Sequence, residues 1–347
     1  MRKIDKIKIL SSKLPPKTAI GIHSLGRQVF LCSMKNEEVR KSFAPEGQSR
    51  NLWGINFRAP LFNAAGMFKD FSYYEQSYSY GAGAYLVGTI TPRARPGNVI
   101  NGIHMPFVVY PQSHAASNNL GLPNPGIEKV LQNIPKKKEG FPIGISLASE
   151  SLEDLAACLR LCEKAEIDFV EINESCPNIK YAGELTKRLE YLGREFLSRR
   201  KRNIPIVVKF SNDLHAEQIP DVLDLLIVCG ADGINLGNSS TDYDGLRNEI
   251  HMRELRLFDY YTKNFRGGIS GRPLKDISLQ ISSVAAEYIK AIPLEREFNV
   301  IRTGGIESSQ DIAESNRYGI SLNEWFTGYF ERYTSENGSA YKGVFRE

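Results

Sequence analysis

The chain has 347 residues, 41% apolar and 24% charged, with a net charge of +4. That length holds one large or two ordinary domains, and the apolar fraction supports a sizeable core and argues against disorder. The charge is too mild to predict nucleic-acid binding, and the scattered, odd-numbered cysteines (Cys32, Cys158, Cys162, Cys176, Cys229) argue against a disulfide framework and for a reducing compartment.

Residues 1–17 carry Arg2, Lys3, Lys6, Lys8, Lys13 and Lys17 against Asp5, with Ile4, Ile7, Ile9 and Leu10 interleaved. After Pro15-Pro16, the spacing of Ile22, Leu25 and Val29 predicts a helix over 17–32. Residues 1–45 thus read as a helical extension. One reading is a solvated arm and a helix packed on the main domain. The other is a peripheral membrane foot through residues 1–32, basic face to anionic lipid and apolar face in the interface. No apolar run approaches a membrane span, and His23 and Arg27 break the only stretch that resembles a signal. Residues 34–52 are polar and read as a linker.

The remainder, 46–347, reads as one domain. Short apolar runs recur at Leu61–Ala65, Ala84–Thr89, Pro142–Leu147, Phe169–Asn173, Ile204–Phe210, Gly233–Asn238, Asn299–Thr303 and Glu324–Gly328. Helical patterns lie between several of them: Leu152–Lys164, Glu184–Lys201, Ala216–Cys229, Leu274–Ile292 and Ser309–Arg317. Strand alternating with helix predicts a parallel sheet, and eight units predict an α/β (β/α)8 barrel, a TIM barrel. An open doubly wound sheet is the competitor. It would want Gly-x-Gly-x-x-Gly after the first strand, where Asn63-Ala-Ala-Gly66 stands. Long connections over 90–141 and 239–272 are candidate lids or binding loops.

A barrel keeps its chemistry at the C-terminal ends of its strands. The fourth strand exits through Glu174-Ser-Cys176-Pro-Asn178. A thiol there, flanked by Asn173 and Asn178, offers a base or nucleophile with amide donors and acceptors beside it. A buried Cys acting as a small hydrophobe is the commoner case, but a loop position before Pro is a poor core site. Lys209 is a charge inside an apolar strand. Its plain reading is a structural ion pair, and its functional reading is stabilisation of an anion. Lys69 follows the small-residue turn after the first strand and would otherwise be a surface lysine. Asn118, Asn173, Asn178 and Asn238 supply both donors and acceptors, as a planar ring of alternating C=O and N–H groups requires, although any one Asn is more often a turn former. Gly304-Gly305 and Thr327-Gly328, with Gly267–Gly271, fit backbone capture of a phosphate. Cys158 and Cys162 lack a matching pair, so no metal is expected.

Several strings resemble dihydroorotate dehydrogenases: Asn63-Ala-Ala-Gly-Met-Phe-Lys-Asp70, Val87-Gly-Thr-Ile-Thr-Pro-Arg-Ala-Arg-Pro-Gly-Asn98, Asn118–Asn124, the Cys176 loop, Gly267–Gly271 and Thr303-Gly-Gly305. The resemblance runs from about Asn56 to Phe330. It implies an FMN-bound barrel that oxidises dihydroorotate to orotate in pyrimidine biosynthesis, with Cys176 as the base that takes the C5 proton. It implies that Lys69 meets the substrate carboxylate, and that Asn118, Asn119, Leu120, Gly121, Leu122, Asn173, Asn178, Asn238 and Ser239 meet the ring. For FMN it implies Ala65, Gly66, Lys69, Thr89, Ser146, Asn173, Lys209, Gly237, Gly271, Gly305, Phe326 and Thr327. The position of Lys69, the Gly88-Thr-Ile-Thr-Pro92 string and the N-terminal extension resemble the membrane-associated, quinone-reducing members, which usually carry Ser as base; Cys is commoner in soluble ones. That sub-class implies a quinone partner and a peripheral place on the cytoplasmic side of the inner membrane. The competing readings are a soluble fumarate- or NAD-linked enzyme, an oxidiser of another dihydropyrimidine, and a flavin-binding protein without turnover. Ser146 in place of Asn and the polar Asn323-Glu324-Trp325 are departures from the family pattern.

Overall fold

The structure, a computed structural model, describes residues 14–35, 42–174, 185–335 and 340–346. Its centre is an 8-stranded parallel sheet curled into a barrel. The strands are β1 (Leu61–Asn63), β2 (Tyr85–Ile90), β3 (Ile143–Leu147), β4 (Phe169–Asn173), β5 (Ile206–Phe210), β6 (Gly233–Leu236), β7 (Asn299–Thr303) and β8 (Leu322–Trp325). Backbone ladders run from β2 through to β8 and on to β1. The β1–β2 seam is closed differently. Asn63 Nδ2 donates to Leu86 O at 2.7 Å and Asn63 Oδ1 accepts from the Leu86 amide at 3.2 Å. Gly83 N–H donates to Leu61 O at 2.8 Å. A side-chain amide thus takes the place of a regular backbone ladder at this seam.

Period-2 alternation sorts each strand into inward and outward faces. Inward Phe62, Leu86, Phe169, Val207, Ile301 and Leu322 form an apolar layer low in the barrel. A hairpin, Arg50–Leu52 paired with Ile55–Phe57, covers it from below, and Phe57 joins the layer 5.7 Å from the Phe169 ring. Each large side chain so buried contributes roughly 1.5–3 kcal/mol. Outward residues such as Ile145, Val170 and Ile172 pack in the main apolar cluster, along with Leu155, Leu159 and Leu192 of flanking helices.

Several elements differ from the sequence expectation. The eighth strand is Leu322–Trp325, not Glu324–Gly328, because Thr327 opens the helix Thr327–Ser335. Its polar residues hid its start: Glu324 is ion-paired inside the barrel and Asn323 is buried against Pro60 O. The stretch read as a linker begins inside a helix, which continues to Lys35, and contains the strand Arg50–Leu52. The helix expected over Glu184–Lys201 is Leu185–Glu195 followed by a 3-10 turn at Leu197–Arg199. The two long connections are not loops throughout. They supply a second, antiparallel sheet of Phe107–Tyr110, Ala115–Asn118 and Gly268–Gly271, with Asn118 opposite Gly268.

The helix Pro16–Lys35 lies against this second sheet. The Phe107 amide donates to Ser24 Oγ at 3.0 Å, and Phe30 meets the rings of Phe330 and Tyr333 edge-on. Its outer face exposes Ile22, Leu25 and Val29, 49%, 63% and 62% accessible. No helix among the described residues is long and apolar enough to cross a membrane.

Candidate active site

A pocket opens at the C-terminal ends of the barrel strands. After β1 it is lined by Ala65, Gly66 and Lys69, and at β2 and β4 by Thr89 and Asn173. Lys209 reaches it from β5, Asn238 and Ser239 follow β6, and Gly304 and Gly305 follow β7. Phe326 and Thr327 follow β8, while the second sheet adds Asn118, Leu120, Leu122, Ser270 and Gly271.

The polar groups in the wall are held by one another. Asn238 Nδ2 donates to Asn173 Oδ1 at 3.1 Å, and Asn173 Nδ2 donates to Thr89 Oγ1 at 3.0 Å. Thr89 Oγ1 lies 3.2 Å from Ser146 Oγ, and the Ser239 amide donates to Asn238 Oδ1 at 2.9 Å. The chain crosses β6, β4, β2 and β3 and fixes which way each amide faces. Lys69 Nζ donates to Gly88 O at 3.0 Å. Gly88 has φ +135°, and a Cβ there would sit 2.6 Å from Ser146 O, so glycine lets the β2 backbone approach β3.

Beneath the pocket floor lies a charged layer. Lys209 Nζ is 2.6 Å from Glu324 Oε2 and 3.3 Å from Glu171 Oε2, and all three side chains are fully buried. Asn235 Nδ2 donates to Glu171 Oε2 at 2.7 Å. Thr303 Oγ1 lies 2.8 Å from Asn235 Oδ1 and 3.1 Å from Glu324 Oε2. Burial alone would lower the Lys209 ammonium, but the two carboxylates outweigh it and hold the group above its ordinary value. Burial, reinforced by Glu171, pushes the Glu324 carboxyl up to about 8 against the opposing pull of Lys209. Lys209 therefore has the ion pair that its plain reading expects, and it also lines the pocket.

At the opposite end of the pocket Gly304 and Gly305 adopt φ of +129° and +69°. Helix Thr327–Ser335 begins beside them, with Thr327 Oγ1 3.0 Å from Ser270 Oγ. The first turn of a helix leaves N–H groups without intrahelical partners, and these suit an anion. The donor set suits a long, flat ligand with an anionic end: ammonium and amides for a polar ring edge, Ala65, Leu120 and Phe326 for a flat apolar body, and backbone N–H groups for an anion.

Most of the residues singled out in the sequence converge here. Asn119, Gly121, Ser146 and Gly237 stand behind the lining instead. Asn119 Nδ2 donates to Phe265 O at 2.8 Å, and its Oδ1 accepts from Asn98. Gly121 makes a turn against Asn98, and Gly237 passes so close to Thr303 O that any side chain would collide. Cys176 and Asn178 lie outside the described residues.

Sequence reasoning missed Glu171, Asn235 and Glu324. The signal was parity: Glu171 stands two residues before Asn173 and therefore faces the same interior, where Lys209 needs a partner. It also missed His23 and Arg27 on the inward side of helix Pro16–Lys35. His23 Nε2 and Arg27 Nε are buried without a hydrogen-bond partner among the described residues. Burial lowers His23 to about 4 and Arg27 to about 10. At the pocket rim His114, Glu307 and Glu331 come within 4.8 Å of one another, but His114 pairs with Glu331 and Glu307 with Arg272.

The family model described as dihydroorotate dehydrogenase matches residues 48–336. A dihydroorotate dehydrogenase (quinone) of Cupriavidus pinatubonensis is 29% identical over 304 residues, covering 82% of both chains. One from Halorhodospira halophila is 26% identical over 343 residues, covering 94% of this chain and 93% of its own. Among solved structures, ligand-free DHODH from Eimeria tenella superposes with a TM-score of 0.75 at 21% identity, covering 92% of each chain. That likeness is one of fold.

Proposed function

Because the chain belongs to the dihydroorotate dehydrogenase family of flavin-dependent oxidoreductases, we propose that it oxidises dihydroorotate to orotate in pyrimidine biosynthesis, with FMN as its flavin and a quinone as its electron acceptor. The observation that carries the reading is a single pocket into which Lys69, Asn118, Asn173, Asn238 and Lys209 all open. The quinone assignment rests on relatives whose names specify that acceptor.

In this reading Lys69 binds the substrate carboxylate and the asparagines, Asn178 with them, orient the ring. Cys176 removes the C5 proton. A thiol near its reference value of about 8.5 works as a base only when ionised, so the rate rises with pH. Bound FMN supplies the acceptor for the departing hydride. Lys209 holds positive charge where the flavin ring gains negative charge. Ala65, Gly66, Thr89 and Phe326 frame the ring, with Ser146 and Gly237 behind them, and Gly271, Gly305 and Thr327 take the phosphate end.

Helix Pro16–Lys35 is the place for the quinone. His23 and Arg27 present polar nitrogens from within an apolar setting, as a quinone carbonyl requires. The exposed Ile22, Leu25 and Val29 suit peripheral contact with the inner membrane from its cytoplasmic side. The test is anaerobic bleaching of the flavin by dihydroorotate. Wild-type protein should be yellow and bleach; Cys176→Ala should stay yellow. Bleaching at the wild-type rate in that variant would remove Cys176 from the mechanism. A protein that stays colourless when supplied with FMN would overturn the reading.

A further inference from the structure

One ammonium sits between two carboxylates under the pocket floor, and the count does not balance. Lys209 lies 2.6 Å from Glu324 and 3.3 Å from Glu171, each 2% exposed or less. Glu171 Oε1 and Glu324 Oε1 are buried and accept no hydrogen bond from a donor among the described residues. Two ionised carboxylates here would leave an unsolvated negative charge, which a barrel interior does not tolerate. A single extra proton makes the cluster neutral. Lys209 lines the pocket and the two glutamates do not.

We propose that Glu324 is a positioning residue that acts through Lys209: by holding or releasing that proton, it sets how much positive charge the bound flavin meets. The proposal rests on the reading of this pocket as a flavin site. With Glu324 neutral, Glu171 and Lys209 form a balanced pair and the flavin faces no net negative charge. With Glu324 ionised, the cluster carries one negative charge, and a two-electron reduction of the flavin above it is opposed. Reduction then draws one proton from solvent onto the Glu324 carboxylate, in addition to the proton the flavin ring itself takes.

The groups that face Glu324 are few. From β5 and β4 it faces Lys209 and Glu171, and from β7 the uncharged hydroxyl of Thr303. Phe62 lies opposite it in the β1 register. Arg302, also on β7, points outward to Ser278 and Ser315 on the helices. The Glu324 carboxyl is pushed up to about 8, so the change falls within reach of a titration.

The experiment is spectroelectrochemical titration of the FMN-loaded full chain between pH 6 and 10, for wild type and Glu324→Gln. Glutamine keeps a carbonyl for Lys209 but cannot ionise. In wild type, the potential should fall more steeply above about pH 8, by one additional proton per two electrons. That is a tenfold change in the oxidised-to-reduced ratio per pH unit, about 30 mV. In Glu324→Gln the added slope should vanish. A wild-type slope without the change near pH 8, or a variant that keeps it, overturns the proposal. Yellow protein with either of those profiles defeats this inference alone. Protein that binds no FMN defeats the flavin reading beneath it. If the variant does not fold, the wild-type profile still decides.

Discussion

Glu174 and Arg188 form a buried two-point ion pair, Arg188 Nε to Glu174 Oε2 at 2.8 Å and Nη2 to Oε1 at 3.2 Å. Arg188 Nη2 also donates to Ser149 O at 3.0 Å. The pair joins the exit of β4 to helix Leu185–Glu195, and the segment that carries Cys176 runs between them in sequence. Removing one partner leaves the other charge buried and alone, which costs about 3–5 kcal/mol. Arg188→Ala should therefore lose that much stability in urea unfolding followed by fluorescence. Glu174→Met combined with Arg188→Met should recover most of it, because a buried pair replaced by packed apolar residues is often neutral. Equal losses in the single and double variants would show that the pair is not the source.

Lys69 is the discriminating residue for the substrate. A charge-assisted hydrogen bond to a carboxylate contributes about 1.5–3 kcal/mol, so Lys69→Ala should lower kcat/KM for dihydroorotate by roughly 10- to 100-fold. Dihydrouracil, which lacks the carboxylate, should be a poor substrate for both proteins and indifferent to the change. Steady-state kinetics with the two substrates separate carboxylate recognition from general damage to the pocket.

Much of this site was legible in the sequence because a barrel sends its chemistry to predictable places. Lys209, Asn173 and Thr89 stand in or at the ends of strands whose apolar runs were plain, and all three line the pocket. Residues whose meaning depends on a partner far along the chain were harder to see. Glu324 is 115 positions from Lys209, and in isolation it made its strand look less like a strand. Asn63 closes the barrel through its side chain, which a search for backbone patterns does not register. The second sheet was missed for a related reason. Ala115–Asn118 and Gly268–Gly271 are short and rich in small residues, and only their pairing makes them strands.

The Glu324 carboxyl makes a stability prediction with a definite sign. Its folded value, about 8, lies above the unfolded value of about 4.3. Between those values the folded state binds more protons than the unfolded state, so this group's contribution is greatest at low pH and is lost as pH rises toward 8. The difference in unfolding free energy between wild type and Glu324→Gln should therefore fall from pH 5 to pH 8, by an amount on the order of 1–5 kcal/mol. Urea titrations at four pH values test it. A difference that stays flat, or grows with pH, would mean that Glu324 is ionised throughout.

His23 and Arg27 lie on one face of helix Pro16–Lys35, four residues apart, so both point toward the same neighbours. Among the described residues, neither His23 Nε2 nor Arg27 Nε has a hydrogen-bond partner. If their role is structural, replacing them with apolar residues should be neutral or stabilising, since an unsatisfied buried donor costs about 1–3 kcal/mol. If they hold a quinone, His23→Leu and Arg27→Met should raise the KM for quinone about tenfold each, the worth of one hydrogen bond. Anaerobic bleaching by dihydroorotate should proceed unchanged in both variants, because the pocket lining contains neither residue. Deleting residues 1–45 should carry the effect to completion, sparing bleaching and abolishing quinone turnover. Unaltered quinone kinetics in the deletion would place the second half-reaction elsewhere on the barrel.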